Sequence, residues 1–298
     1  TFKDFEVIMM DNGSTDDSIS FTKEHFPWVK IIELGENTGF AHASNEGIKA
    51  GSSPYVILLN NDTEVDPTWL AEIHAAITKH PRVGFFACKM LDFADRSIID
   101  RVGDAMTWSG RSYQVGENQK DEGQYDTERM VFGACAGAAC YKRELFEKIG
   151  YLDTDFYMYM EDVDLDFRAQ LAGFTCRYLP QARVYHIGSA STSKQSPFSF
   201  KHMVRNHLWM IYKNFPTTKI WGNLHKILYS EFRLLGAARK HGFWKEYVWA
   251  VRSALQGISV MKPKRREIQR NRKVTNAYLD TIIESDFNYK PLLQALKR

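Results

Sequence analysis

Residues 5–14, Phe5-Glu6-Val7-Ile8-Met9-Met10-Asp11-Asn12-Gly13-Ser14, pass from a mostly apolar run to a polar turn within one step. Such a run predicts a short buried strand that stops at the turn. The following residues fit a helix over 15–26, with Asp16 and Asp17 near its start, where carboxylates favour the helix dipole, and Pro27 just past its end. A second strand is expected over 29–34, then the loop Gly35-Glu36-Asn37-Thr38-Gly39, a helix over 40–50 and a third buried strand over 55–59. This alternation predicts an α/β fold, a mostly parallel sheet with flanking helices. Ligands in such sheets bind beyond the carboxyl ends of the strands. The polar clusters 11–14, 37–45 and 60–63 all fall there.

Farther along, a helix is expected over 67–79, and the Gly-rich stretch 92–130 reads as loop or short strands covering the site. A strand over 131–141, a short helix over 143–149 ended by Gly150 and a helix over 161–172 ended by Gly173 follow. Strands over 175–179 and 183–186 lead to a helical pattern from 198 onward, which Pro216 and Pro263 are expected to break.

Three groups of residues carry possible chemistry. Asn60-Asn61-Asp62-Thr63 follows the apolar Val56-Ile57-Leu58-Leu59, so Asp62 stands at a strand end. A carboxylate there can hold Mg²⁺ or Mn²⁺, with diphosphate oxygens and water in the remaining positions, or simply serve as a turn residue. The run 156–166 places Glu161, Asp162, Asp164 and Asp166 directly after an aromatic stretch, more carboxylates than helix capping needs. Packed carboxylates raise one another's pKa, as a general base in a partly apolar cleft requires. His186, at the end of a strand and before a polar loop over 189–196, is a candidate metal ligand or an ordinary surface histidine.

Composition sets outer bounds. The 298 residues can bury a full core, and 44% hydrophobic with 25% charged residues is ordinary for a globular protein. No window reaches the roughly 18 apolar residues of a membrane span. The start Thr1-Phe2-Lys3-Asp4-Phe5 lacks both an initiator Met and a secretory pattern, which suggests a chain beginning part-way into a longer product. Four cysteines without a C-x-x-C pair read as core residues in a reduced, cytoplasmic setting. The net charge of +3 hides an asymmetry: 19 Lys and Arg against 30 Asp and Glu in residues 1–200, but 20 against 6 in 201–298.

Taken together, Asp11-Asn12-Gly13-Ser14-Thr15-Asp16, Asn37-Thr38-Gly39-Phe40 with Asn45 and Gly47, Leu59-Asn60-Asn61-Asp62-Thr63, residues 137–143, Glu161-Asp162-Val163-Asp164-Leu165 with Arg168, and His186-Ile187-Gly188-Ser189 resemble the large inverting glycosyltransferase family 2, of Rossmann-like GT-A fold, particularly its rhamnosyltransferase-like bacterial members. The resemblance covers roughly residues 5–215 and divides the chain into a catalytic domain over 1–200 and a basic helical region over 201–298. It implies a nucleoside-diphosphate sugar as donor, dTDP-rhamnose first, and a glycan or polyprenyl-linked acceptor. It further implies that Asp11 contacts the nucleotide base, that Asn37, Gly39 and Asn45 line the nucleotide site with Asn60 and Asn61 beside it, and that Asp62 and His186 hold Mg²⁺ or Mn²⁺. Asn60 occupies the first place of the family's Asp-x-Asp signature. Asp162 corresponds to the catalytic base, with Glu161 as the alternative. Family members carry a further strand and helix ahead of the segment that begins here at Thr1.

Rival classes remain at this stage. A glycoside hydrolase also uses paired carboxylates but needs neither a strand-end metal cluster nor a nucleotide loop. An inactive scaffold or carbohydrate-binding module fits Asn60 and the shortened start. No nucleic-acid motif accompanies the basic third, so nucleic acid is not expected as a partner. That region mixes Trp221, Tyr229, Phe232, Phe243, Trp244, Tyr247 and Trp249 with many Lys and Arg, and the segment 262–273 adds seven more basic residues, including Lys264, Arg265 and Arg266. Such helices either lie on an anionic membrane face, making the protein peripheral at the inner side of the cell membrane, or pack on the catalytic domain or a second subunit of a homo-oligomer.

Overall fold

A computed structural model of the chain describes residues 2–188 and 196–285. β1 (Ile8–Asp11) and β2 (Lys30–Glu33) enclose α1 (Ser18–His25) and pair in parallel, Asp11 opposite Glu33. α2 (Phe40–Ala50) and β3 (Tyr55–Leu59) follow with the bounds their patterns predict. β4 (Thr63–Val65), α3 (Trp69–Lys79) and β5 (Phe85–Asp92) come next. The stretch 92–130 holds β6 (Ile99–Arg101), β7 (Asp104–Thr107) and β8 (Ser112–Gln114), with β9 (Arg129–Val131) at its end. β10 (Ala138–Lys142), α4 (Arg143–Ile149), α5 (Glu161–Leu171) and β11 (Cys176–His186) complete the catalytic part.

The principal sheet has the order β3-β10-β5-β11-β4, with β6 on β5 and β9 on β11. Its strand directions are mixed. β5 and β11 are parallel, while β10 runs against both β3 and β5, and β4 runs against β11. The continuous parallel sheet expected from β1, β2 and β3 is not made among the described residues: β1 and β2 pair only with each other, and β3 pairs only with β10. Alternation along the strands builds the two core layers. Phe85, Ala87, Ala139 and Tyr141 face Ala41, Ile48, Leu145, Phe146 and Leu165 of α2, α4 and α5, whereas Phe86, Cys88, Met90, Ala138 and Cys140 face Trp69 and Ile73 of α3. Strands covered on both faces read as unbroken apolar runs, which is why the sequence looked parallel. Three of the four free cysteines are buried, as core residues should be, and Cys135 is half-buried.

Three local expectations change. Residues 131–141 are not one strand; β9 stops at Val131 and β10 begins at Ala138, because Gly133 and Ala134 turn aside to receive the Asp166 carboxylate, which occupies the space a Cβ at 133 would need. Residues 175–179 and 183–186 form the single strand β11, whose pairing with β5 slips between Leu179 and Arg183, around Pro180, which has no N–H to donate. Pro263 lies inside a helix instead of ending it.

The C-terminal region is helical, with α6 (Pro197–Asn214), α7 (Thr217–Gly222), α8 (Leu224–Lys240), α9 (Trp244–Gln256), α10 (Ile258–Arg270) and α11 (Asn276–Ile282), then β12 (Ile283–Glu284). The boundary expected at 200 falls within α6, and the two parts share a core: Trp209, Met210, Phe215 and Met261 pack with Trp108, Phe156 and Phe167, while β12 pairs with β7. Lys264 and Arg265 do not face outward as the membrane expectation requires. Lys264 pairs with Asp153 and Asp155, and Arg265 donates to the Tyr212 and Phe215 carbonyls and to Thr217. These anchors, with buried Met261, hold α10 across Pro263. Phe243 and Tyr247 also point inward, onto Phe200 and Glu231.

Candidate active site

The end of β1 and the loop before α2 are laced together. The buried Asp11 carboxylate accepts from the backbone N–H of Gly13 and Ser14, closing the turn. Asn12 Oδ1 accepts from the Thr38 N–H at 2.8 Å and its hydroxyl at 2.9 Å, while Asn12 Nδ2 donates to Asn37 Oδ1. Gly13, at φ +83°, lies against Glu36 and Asn37, where any Cβ would collide with backbone. Gly39, at φ +86°, lies against the ring and carbonyl of Tyr157, whose hydroxyl donates to Asn37 Oδ1 at 3.2 Å. Asn45 is different from its expected role. It is buried, and its amide both donates to and accepts from the Leu152 backbone, so it fastens α2 to the segment after α4.

The second cluster forms through strand register. β4 pairs with β11 so that Thr63 faces His186, which brings the preceding Asp62 alongside, and the Asp62 carbonyl accepts the Ile187 N–H. His186 Nε2 stands 3.5 Å from Asp62 Oδ1, a buried atom with no hydrogen-bond partner. His186 Nδ1 donates to Asp100 Oδ2 at 2.6 Å; Asp100 arrives on β6, which borders β5, itself the neighbour of β11. A carboxylate on Nδ1 leaves the Nε2 lone pair available, the usual support of a metal-binding histidine. The orphaned Asp62 oxygen beside that lone pair fits a divalent cation. Among the described residues no group of three or more His, Cys, Asp or Glu side chains is placed to hold a metal ion. Asn60 is half-buried, tied by its N–H to the Gly137 carbonyl, and Asn61 is exposed.

The four carboxylates of α5 part company. Asp164 is wholly buried, paired with Arg168 and Lys213 at 2.8 Å each and with Asn214, joining α5 to α6. Asp166 accepts from the Ala134 N–H and the Tyr141 hydroxyl; burial, with the Asp162 charge, pushes its pKa well up. Glu161 is buried with Oε2 unpartnered, and burial, then the charges of Asp162 and Asp164, raises its pKa well above the carboxylate range. Asp162 alone is half-buried. It accepts weakly from the Ala136 N–H at 3.3 Å and from its own neighbour Val163 at 2.8 Å. The loop 132–137 therefore links Asp162, through Ala136 and Gly137, to Asn60 at the end of β3.

The segment leading into α5 is strained, with Tyr157, Tyr159 and Met160 all at positive φ. Asn206 of α6, fully buried, holds it by donating to the carbonyls of Phe156, Met158 and Tyr159. The sequence did not point to Asp100, Tyr157 or Asn206. Tyr157 lay within the aromatic run before the acidic cluster, but nothing local in residues 92–130 marked Asp100.

The fold is that of GT-A glycosyltransferases. A solved structure of GalNAc-T7 with UDP, GalNAc and Mn²⁺ superposes with a TM-score of 0.58 at 17% identity, covering 86% of this chain and 51% of that one. Residues 1–150 match the model of Glycosyl transferase family 2, half of the chain, and the chain belongs to that family. Among curated relatives, an N-acetylglucosaminyl-diphospho-decaprenol L-rhamnosyltransferase of Mycobacterium tuberculosis is 28% identical over 229 residues, 70% of this chain and 73% of the relative. A poly-beta-1,6-N-acetyl-D-glucosamine synthase of Staphylococcus epidermidis is 28% identical over 184 residues, 59% of this chain and 41% of that protein. The chain thus spans about half or less of the second relative and of the solved structure.

Proposed function

We propose that the protein is an inverting, cation-dependent glycosyltransferase of cell-surface polysaccharide synthesis that moves rhamnose from dTDP-rhamnose to a hydroxyl of a polyprenyl-linked glycan. The approach of His186 Nε2 to the unpartnered Asp62 Oδ1 carries this reading, since it prepares two ligands at the strand ends where a donor diphosphate binds. The Mycobacterium tuberculosis relative supports the choice of sugar and of a lipid-linked acceptor.

Asp11, Asn37 and Gly39 form the nucleotide wall, and Asp62 and His186 hold the cation. A cation held there would supply Lewis-acid stabilisation of the departing diphosphate, worth several kcal/mol. Asp162 takes the acceptor hydroxyl proton while that oxygen attacks the anomeric carbon from the face opposite the diphosphate, so the centre inverts. Burial, with the Asp162 charge, pushes the Glu161 carboxyl well above the usual range and so disfavours a second negative charge beside Asp162. Asp100 holds His186 in the ligating tautomer, and Asn206 positions the turn from which Asp162 projects.

A panel of dTDP- and UDP-sugars offered with Mn²⁺ and a polyprenyl-diphosphate-linked N-acetylglucosamine acceptor tests this. Rhamnose transfer that a chelator abolishes is the expected result. Transfer from UDP-N-acetylglucosamine would instead place the protein with the second relative's chemistry, and no transfer from any donor would favour an inactive scaffold.

A further inference from the structure

We propose that the outer face of α8 and α9 is a docking surface for an anionic lipid bilayer. α8 buries one stripe, Ile227, Ser230, Leu234 and Ala238, against the body of the protein. Its opposite stripe is apolar as well: Leu228 and Phe232 stand one turn apart, and Phe232 is 72% exposed. Trp221, at the end of α7, is 69% exposed. α9 packs beside α8, with Tyr247 bonded to Glu231 and Ala250 buried beside Leu234. Its outer stripe runs Lys245, Val248, Arg252, Leu255, with Leu255 68% exposed. Single exposed apolar residues need no explanation, but large ones repeated at helical spacing on adjoining helices do.

The charges around them select the partner. Residues 217–270 carry twelve Lys and Arg against three Glu, and one of those, Glu231, is half-buried and paired with His207 and Arg111. Lys240, Lys245, Arg252, Lys262 and Arg266 are exposed and form no ion pair among the described residues. A cleft beside them is lined by Arg239, Gly242 and Trp244, the guanidinium lying 5.9 Å from the indole. Arg and Trp together suit the headgroup level of a membrane, one end wet and the other apolar. Exposed apolar side chains with the unpaired Lys240, Lys245 and Arg252 on the same two helices match an anionic interface, whereas a second copy of this surface would set like charges against each other. Among the described residues no helix is long and apolar enough to cross a membrane, so attachment through this face lies along the surface. The surface shares no residue with the transfer site and does not depend on which sugar is moved.

Co-sedimentation of the full chain with phosphatidylcholine vesicles, with and without phosphatidylglycerol, tests the proposal. Binding should require phosphatidylglycerol and decline steeply as NaCl is added. The triple variant K240E/K245E/R252E should bind anionic vesicles on the order of a hundredfold more weakly, at about 1 kcal/mol for each basic residue near the surface. L228S/F232S should weaken binding at every salt concentration while leaving Mn²⁺-dependent nucleotide binding unchanged. Equal binding to neutral and anionic vesicles, or none to either, overturns the proposal. So does self-association in sedimentation velocity that L228S/F232S abolishes while vesicles are ignored, which would make the face a contact between copies of the chain.

Discussion

Asp100 accepts a 2.6 Å hydrogen bond from His186 Nδ1, and this bond fixes which nitrogen of His186 faces Asp62. Asp100→Asn offers an amide that can donate instead, turning the imidazole so that Nε2 carries the proton. Mn²⁺ affinity in the presence of a nucleoside diphosphate, followed by electron paramagnetic resonance, should fall about 10–100-fold. Asp62→Ala should weaken it further. An Asp100→Asn protein that binds Mn²⁺ as the wild type does would remove the positioning role. Because one proposed ligand is an imidazole, Mn²⁺ should bind more tightly than Mg²⁺, which prefers oxygen donors.

Asp162 and Glu161 are adjacent in sequence, yet only Asp162 reaches the half-open side of the helix start. Asp162→Asn should abolish transfer and leave donor and Mn²⁺ affinity within a few-fold, since a base acts on the acceptor. Glu161→Gln should retain most of the turnover, because burial favours the neutral form of this carboxyl and an amide shares its shape. Steady-state kinetics of the two variants, paired with donor titrations, check both outcomes. Loss of kcat in Glu161→Gln with full activity in Asp162→Asn would exchange the roles.

The same two residues show how far the sequence carried. It identified the acidic cluster from the density of carboxylates directly after an aromatic run, and the ends of β1, β3 and β11 from the breaks at Asp11, Asn60 and His186. Those are local signals: apolar runs that stop. Apart from the resemblance, which singled out Asp162, the run of carboxylates could not sort Asp162 from Asp164 and Asp166, because what separates them is tertiary, namely Lys213 and Asn214 from α6 and the Ala134 N–H from a loop that looked like strand. Asp100 was illegible for the same reason, since only the β6, β5 and β11 register carries it to His186. Strand direction was misjudged because burial on both faces erases the alternation that usually marks an antiparallel strand.

Burial of Glu161 also has a stability signature. Its folded pKa lies above the ordinary 4.5, so the folded state keeps a proton that the unfolded chain releases. Stability from this group is therefore greatest below pH 4.5 and declines as pH rises toward the folded pKa. Gln at 161 has no such dependence. Urea melts across the acid-to-neutral range should show Glu161→Gln gaining on the wild type as pH rises, and a constant difference would mean that Glu161 is ionised in the folded protein.

Lys213 is the joint between the catalytic helix and the C-terminal helices, and its removal should be among the most damaging single changes. The side chain, on α6, is 3% exposed and bonds Asp153 at 2.6 Å and Asp164 at 2.8 Å, both on the catalytic part. Burial alone would raise both acids; the Lys213 charge, with Lys264 on Asp153 and Arg168 on Asp164, outweighs it and holds both below the usual range. Lys213→Met fills similar space but leaves this buried pair short of one positive charge, a change that costs about 3–5 kcal/mol. Depressed carboxylates contribute stability that is present above their unfolded pKa near 3.8 and lost as pH falls through the folded values. Without Lys213 both pKa values rise, so acid unfolding followed by circular dichroism should begin at higher pH in the variant. If Lys213→Met melts within about 0.5 kcal/mol of the wild type, as a neutral surface substitution does, the joint is not made through these charges and the packing of Trp209, Met210 and Phe215 alone holds the two parts together.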